Sequence, residues 1–340
     1  MLKEIRLYLC IFFVFAFGIF YELSIEPGCI FDCKPISKKF LTLQEVMTQG
    51  KKIIFLETTN RLQPSQLVLC SVESAARIYF DRPVLFFMKG LDNNTLVDVK
   101  SSCPALSALS AMDNVFIFPL KMDILFQDTP LLPWYLQINT TKEKHWVYIS
   151  SDASRLAMLW KYGGIYMDTD VISIRPIPVA NFLAAQSSQF SSNGIFGFQQ
   201  HHWFLWDCMN NFVENYNGDI WGHQGPYLMT RMLKGLSNLT DFQNLEDQMY
   251  HNISFLHPHR FYPISYPAWR KYYEVWDSMP DFNYSYALHL WNFMNQEQKN
   301  VTIGSNTLVE NLYKTYCPTT YQSLVQAAEG SEAMSLNQTS

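Results

Sequence analysis

No run of lysine or arginine occurs in the 340 residues, and 25 basic side chains are outnumbered by 30 acidic ones, for a net charge of −5. Such a chain has no electrostatic footprint for a phosphate backbone, so nucleic acid is excluded as a partner. Internal repeats and low-complexity tracts are missing too, which leaves one large domain or two modest ones as the expected organisation. Charged residues make up only 16% of the chain against 48% hydrophobic and 16% aromatic, ample for a buried core. Cys29 and Cys33 have the spacing of zinc ligands, but no second close Cys or His pair follows, and a zinc site is set aside in favour of disulfides.

What is present begins with residues 7–21, uncharged and rich in Phe, Ile, Leu and Val, preceded by Lys3 and Arg6. The stretch reads as a short membrane anchor in contact with the lipid bilayer, with the positive residues holding the N-terminus in the cytosol. A cleaved signal peptide is the alternative, with Ala16-Phe17-Gly18 as its cleavage site, but Phe15, Phe17 and Phe20 crowd that point. Either way the remainder enters the secretory lumen. Sequons at Asn93, Asn139, Asn238, Asn252, Asn283, Asn300 and Asn337 support that compartment. Six cysteines beyond the anchor, at 29, 33, 70, 103, 208 and 317, permit three disulfides whose pairing is open.

The expected organisation is a cytoplasmic tail over 1–6, a signal-anchor over 7–23, a stem over 24–52, a lumenal catalytic domain over 53–322 and a loosely ordered polar tail over 323–340. Within the domain, 53–56, 84–88, 115–118 and 165–167 read as strands, and 65–78 and 152–162 as helices, the second ended by Gly163-Gly164. This alternation argues an α/β domain with a mostly parallel sheet, whose ligands gather at the carboxyl ends of strands.

The sharpest chemical signal is Asp168-Thr169-Asp170, directly after that turn and the apolar strand. Alone, an Asp-x-Asp is an ordinary solvated turn. At a strand's end, two carboxylates one residue apart can hold a hard divalent cation and leave coordination positions for a diphosphate. Asp152 and Arg155 offer a carboxylate acceptor and a fork of donors that suit a polar sugar; an N-cap and a surface cation are the plain structural alternatives.

The string Ser151-Asp152-Ala153-Ser154-Arg155, then Lys161-Tyr162-Gly163-Gly164-Ile165-Tyr166-Met167 and Asp168-Thr169-Asp170, closely resembles the sugar-binding motif shared by glycosylating bacterial toxins and the α1,4-glycosyltransferases. Ile54-Phe55-Leu56-Glu57-Thr58, Cys70-Ser71-Val72-Glu73-Ser74-Ala75-Ala76, Trp221-Gly222-His223-Gln224-Gly225-Pro226, His289-Leu290-Trp291-Asn292 and Cys317-Pro318-Thr319-Thr320 look like the vertebrate members of that family. The resemblance covers nearly the whole lumenal chain.

It implies a GT-A-type, Rossmann-like fold behind a single N-terminal transmembrane helix, in the Golgi membrane. It also implies a retaining enzyme that uses a UDP-sugar and a divalent metal, manganese by preference. Leu56, Glu57, Thr58, Asp152, Arg155 and Asp168 would bind the donor. Asp168, Asp170 and His289 would hold the metal, and Gln224 would face the sugar opposite the leaving group. Overall similarity, particularly over 172–185 and 262–277, favours the branch that moves N-acetylglucosamine from UDP-N-acetylglucosamine in α1,4 linkage to terminal β-galactose on core-2 branched mucin-type O-glycans. Galactose transfer to a lactosyl glycolipid is the second expectation, and a non-catalytic lumenal lectin the third.

Overall fold

The computed structural model describes residues 43–48, 51–91, 104–187, 190–237 and 247–338. The expected cytoplasmic tail and anchor, most of the stem, and Asn93, Asn238, Cys29, Cys33 and Cys103 lie outside the described residues. Among the described residues no helix is long and apolar enough to cross a membrane.

Strands β1 (Ile53–Glu57), β2 (Val84–Met88) and β3 (Val115–Pro119) are buried at every position. Apolar runs of this kind, broken only by Glu57 at the end of β1, suit parallel strands covered on both faces. They pair in parallel in the order β3-β2-β1, and β4 (Gly164–Met167) adds in parallel on the other side of β1. The chain continues through β5 (Val171–Ser173), β6 (Phe182–Ala184), β7 (Ile195–Phe198), β8 (Gln248–Tyr250), β9 (Ile253–Leu256) and β10 (Ala287–His289). The eight-stranded sheet has the order β3-β2-β1-β4-β7-β6-β9-β8, while β10 pairs antiparallel with β5 apart from it. The expected parallel α/β sheet is thus present in its first half. Beyond β4 the sheet is mixed, because β7 runs antiparallel to both of its neighbours.

Alternate strand residues feed two cores. Ile53, Phe55, Phe86 and Ile117 pack with helices α1 (Gln66–Ile78) and, later in the chain, Leu308–Tyr316. Ile54, Leu56, Leu85 and Phe116 pack with α2 (Trp146–Tyr162), α3 (Trp203–Glu214) and α4 (Pro226–Ser237). The order of strands reverses between β1 and β4, so a crevice opens outside their carboxyl ends, where Thr58 and Asp168 follow. Helix α2 starts upstream of the expected residue 152, because Trp146, Ile149 and Ala153 extend its apolar side. It stops where expected: Gly163 and Gly164 have φ of 65° and 112°, and a Cβ at either would meet backbone, at 2.7 Å from the Gln200 nitrogen and 2.6 Å from the Lys52 oxygen.

Two boundaries differ from expectation. Upstream of residue 53, Val46 is buried in the second core and Lys52 donates from Nζ to the Tyr162 carbonyl at 2.6 Å, so the folded domain takes in the end of the expected stem. Downstream, the segment expected as a loose tail continues the helix Pro318–Gln338, designated α6 after α5 (Leu308–Tyr316). Its start is held from α1. Cys70 and Cys317 form a disulfide, and the Glu73 carboxylate accepts from the Thr319 and Thr320 amides at 2.9 and 2.8 Å and from the Thr320 hydroxyl at 2.7 Å. These amides belong to the first turn of α6 and have no partner within the helix.

Burial works against the ionised Glu73 carboxylate, but these donors and Arg77 outweigh it and lower its pKa below the ordinary range. A lowered folded pKa adds stability above the ordinary carboxylate range that is lost as pH falls through the folded value. Glu73→Ala is expected to cost about 2–3 kcal/mol at pH 7, read as a lower urea midpoint, with the difference from wild type shrinking in acid. A midpoint unchanged at neutral pH would refute this cap.

The expectation of three disulfides fails at Cys208. It is a free thiol inside the second core, on the buried face of α3, and serves there as a small apolar side chain.

Candidate active site

A cavity of about 590 Å³ lies over the carboxyl ends of β1 and β4. Leu56, Glu57 and Thr58 reach it from β1 and its following loop, Asp152 and Arg155 from α2, and Asp168 and Asp170 from the loop after β4. Thr58 donates to the Val147 carbonyl at 3.0 Å, tying the end of β1 to the start of α2. From α1, Ser71 donates to the Thr169 carbonyl at 2.8 Å and so fixes the middle of Asp168-Thr169-Asp170.

His289 comes from far along the chain. Antiparallel pairing of β10 with β5 sets it opposite Val171, one residue after Asp170. Trp291 then takes a left-handed backbone, φ 57°, which aims successive amides at the site. The Trp291 N–H donates to His289 Nδ1 at 3.1 Å and the Asn292 N–H to Asp170 Oδ2 at 2.8 Å. His289 Nε2 therefore faces both carboxylates, 3.4 Å from Asp170 Oδ1 and 3.7 Å from Asp168 Oδ2. One ligand atom from each of Asp168, Asp170 and His289 falls within 4.8 Å of the others. Two carboxylate oxygens and an imidazole nitrogen form a donor set that fits a divalent cation of manganese or magnesium type, and no other such group occurs among the described residues.

The remaining charges interlock. Arg155 Nη1 lies 3.0 Å from Asp168 Oδ1, to which the Tyr166 hydroxyl also donates at 2.7 Å, leaving Oδ2 turned to His289. Arg155 also donates to the Asn193 carbonyl at 2.6 Å and to Ser151 Oγ at 2.7 Å, and its guanidinium covers the Tyr166 ring at 4.4 Å. Burial disfavours the charged form of Asp168, but Arg155 and His289 prevail and hold its pKa below the ordinary range. For Asp170 burial dominates and raises the pKa despite His289. Burial also pushes Asp152 up to about 6, although Arg155 and an Asn193 Nδ2 donation at 2.6 Å oppose it.

The residues expected at the donor and metal sites thus converge on one cavity, whereas the residue expected opposite the leaving group does not join them. Gln224 is 2% exposed, donates from Nε2 to the Phe212 carbonyl of α3, and is not among the cavity's lining residues. The Gly222-to-Pro226 segment is the entry to α4, and Gln224 braces that entry against α3, so the role opposite the leaving group does not fit it.

Sequence reasoning also missed Tyr166, Tyr262 and the segment Ser192-Asn193-Gly194. Asn193 bridges Asp152 and Arg155, the Gly194 carbonyl accepts from the Asp168 amide at 2.8 Å, and Ser192 Oγ shares a hydrogen bond with the Tyr262 hydroxyl behind the site. The usable signal was Asn-Gly between two apolar strands.

A Cβ on Gly194 would lie 2.8 Å from Asp168 Oδ2 and 3.3 Å from His289 Nε2, between two of the three proposed ligands. Gly194→Ala is expected to weaken divalent-cation binding at this group, raising the metal concentration for half-saturation by about tenfold or more. An unchanged metal titration would refute the ligand set. Away from the cavity, Asn139, Asn252, Asn283 and Asn300 are exposed, as acceptor asparagines must be.

Comparison with known proteins accords with this geometry. Residues 65–189 match the glycosyltransferase sugar-binding region containing the DXD motif, and residues 197–324 match the alpha 1,4-glycosyltransferase conserved region. The chain is 59% identical to the Homo sapiens alpha-1,4-N-acetylglucosaminyltransferase over 97% of both chains. It is 40% identical to the Mus musculus lactosylceramide 4-alpha-galactosyltransferase over 80% of this chain and 76% of that one. The Homo sapiens lactosylceramide 4-alpha-galactosyltransferase is 38% identical, over 80% of this chain and 77% of its own length.

Proposed function

The chain belongs to the α1,4-glycosyltransferase family and is a hexosyltransferase, and from that premise we propose that it moves N-acetylglucosamine from UDP-N-acetylglucosamine, with retention, in α1,4 linkage to terminal β-galactose of core-2 branched mucin-type O-glycans. The observation that carries the reading is the convergence of Asp152 and Arg155 with Asp168, Asp170 and His289 in one cavity, in a chain whose identity to an N-acetylglucosaminyltransferase exceeds that to the galactosyltransferases compared.

Asp168, Asp170 and His289 hold a divalent cation, for which manganese is our choice. When bound, it supplies positive charge against the diphosphate that departs. Asp152 accepts from hydroxyls of the transferred sugar, and Arg155 keeps Asp152 and Asp168 in register while adding a fixed positive charge beside the leaving group. Glu57 and Thr58 take the nucleotide side at the end of β1. The acceptor hydroxyl attacks on the face from which UDP leaves and gives its proton to the departing phosphate. Trapping a covalent sugar on the protein would overturn that order of events.

In the same reading the protein is a single-pass type II Golgi protein anchored through residues 7–23, with the catalytic domain in the lumen. The exposed sequons and the Cys70–Cys317 disulfide support that compartment.

The test supplies the purified full-length protein with manganese and a core-2 β-galactoside, offers UDP-N-acetylglucosamine and UDP-galactose separately, and determines the product linkage. An α1,4-linked N-acetylglucosamine is expected. Galactose transfer alone would move the chain to the glycolipid-type activity.

A further inference from the structure

The cavity has an end that the residues discussed so far leave unassigned. Between β6 and β7, Ala185 and Ser191 form an antiparallel bridge and the Gln186 amide donates to the Phe190 carbonyl at 2.9 Å. The Ser191 end is pinned to α4: the Ser191 amide donates to Thr230 Oγ1 at 2.9 Å, and that hydroxyl donates to the Pro226 carbonyl at 2.6 Å. The Phe190 ring meets the Tyr227 ring edge to face, centroids 5.0 Å apart at 82°. Gln186, Phe190 and Tyr227 all line the cavity.

Their position relative to the substrate follows from the sheet. β1, β4, β7 and β6 are successive neighbours. At about 4.8 Å per strand, β1 and β6 stand about 14 Å apart. A nucleotide at the end of β1 with its diphosphate over Asp168 and Asp170 therefore has its hexose over β7 and β6. Gly225 confirms the proximity, since a Cβ there would lie 2.8 and 2.9 Å from the two carboxylate oxygens of Asp152. Tyr227 is two residues further on, so the ring pair borders the carboxylate assigned to the sugar hydroxyls.

An acetamido group has an apolar methyl and an amide with one donor and one acceptor. Two aromatic rings beside a carboxamide match both halves, whereas a bare hydroxyl would leave the rings without a partner. We infer that Gln186, Phe190 and Tyr227 form the subsite for the acetamido group of the transferred sugar and select a 2-acetamido hexose over a 2-hydroxy hexose. The inference rests on the N-acetylglucosamine reading and names the residues that enforce it. The joined Phe190 and Tyr227 rings offer the methyl their cavity-facing surface, and the Gln186 side chain pairs with the amide.

The decisive comparison is UDP-N-acetylglucosamine against UDP-glucose, which differ only at this substituent, with full-length wild type, Phe190→Ala and Gln186→Ala on one acceptor. Both variants are expected to lower the kcat/KM ratio of the two donors by about tenfold or more, through loss on the N-acetylglucosamine side, with acceptor KM and thermal unfolding near wild type. If turnover with UDP-glucose is too slow, its Ki set against the Kd of UDP-N-acetylglucosamine gives the binding part of the discrimination, which both variants are expected to lower in the same direction. An unchanged ratio in both variants, or a raised acceptor KM in its place, overturns the subsite while leaving the donor assignment standing. A wild-type protein that uses UDP-galactose but not UDP-N-acetylglucosamine overturns the donor assignment itself, and the subsite with it.

Discussion

Asp170→Asn is expected to lower kcat for sugar transfer by about a thousandfold or more while leaving the folded protein as stable as wild type or slightly more so. The first half follows from position: Asp170 offers Oδ1 to the ligand group, with its other oxygen held by the Asn292 amide. An amide at that position removes a negative charge from the donor set and sets an NH2 group against either an N–H donor or the cation. The second half follows from burial, which raises the Asp170 pKa, so its charge already opposes folding and removing it costs nothing. Asp168→Asn should lose transfer to a similar degree but with the opposite sign on stability. The Asp168 pKa is lowered, so its ionised form contributes stability above the ordinary carboxylate range that is lost as pH falls through the folded value. Steady-state kinetics with thermal unfolding in chelator tests both halves. Wild-type transfer in either variant would remove the metal assignment, and equal stability shifts would remove the electrostatic account.

The second large effect centres on Arg155, which is 6% exposed between two carboxylates. Arg155→Leu leaves Asp152 and Asp168 without their shared counter-charge, and a loss of about 3–5 kcal/mol of stability is expected along with loss of transfer. Arg155→Lys separates the two roles. A lysine keeps the charge but cannot reach Asp168, the Asn193 carbonyl and Ser151 together or cover the Tyr166 ring in the same way. Most of the stability should return, with kcat still depressed by about a hundredfold. Wild-type turnover in the lysine variant would show that Arg155 acts as charge alone.

The strands are legible at 53–56, 84–88 and 115–118 because each of those runs is apolar throughout, as burial on two faces requires. Asp152, Arg155, Asp168 and Asp170 are legible because they crowd into one helix and the turn after one strand, where local spacing governs. His289 was reachable only through family resemblance, since nothing local marks a residue whose place depends on pairing with a strand more than a hundred positions earlier. Gln224 misleads for the converse reason. A polar residue between glycines looks exposed, yet the helix it introduces folds it onto the Phe212 carbonyl. Ser192-Asn193-Gly194 escapes notice because its work is done largely by backbone carbonyls and amides, which every residue possesses. The helical end of the chain was hidden because its anchor, Glu73, lies on α1.

That anchor, with the disulfide beside it, also sets a clock on biosynthesis. Cys70 and Cys317 are 247 residues apart, and Ser71, which steadies the Asp168-to-Asp170 loop, is next to Cys70 on the same helix. At the pace of translation, roughly 10–50 s separate the appearance of the two cysteines. Throughout that interval Cys70 is a thiol without its mate and Glu73 a carboxylate without its helix, so the platform under the Asp168-to-Asp170 loop is completed only once the start of α6 has been made. Errors that truncate or delay α6 should therefore be read out as loss of folded protein, before any enzyme exists to assay.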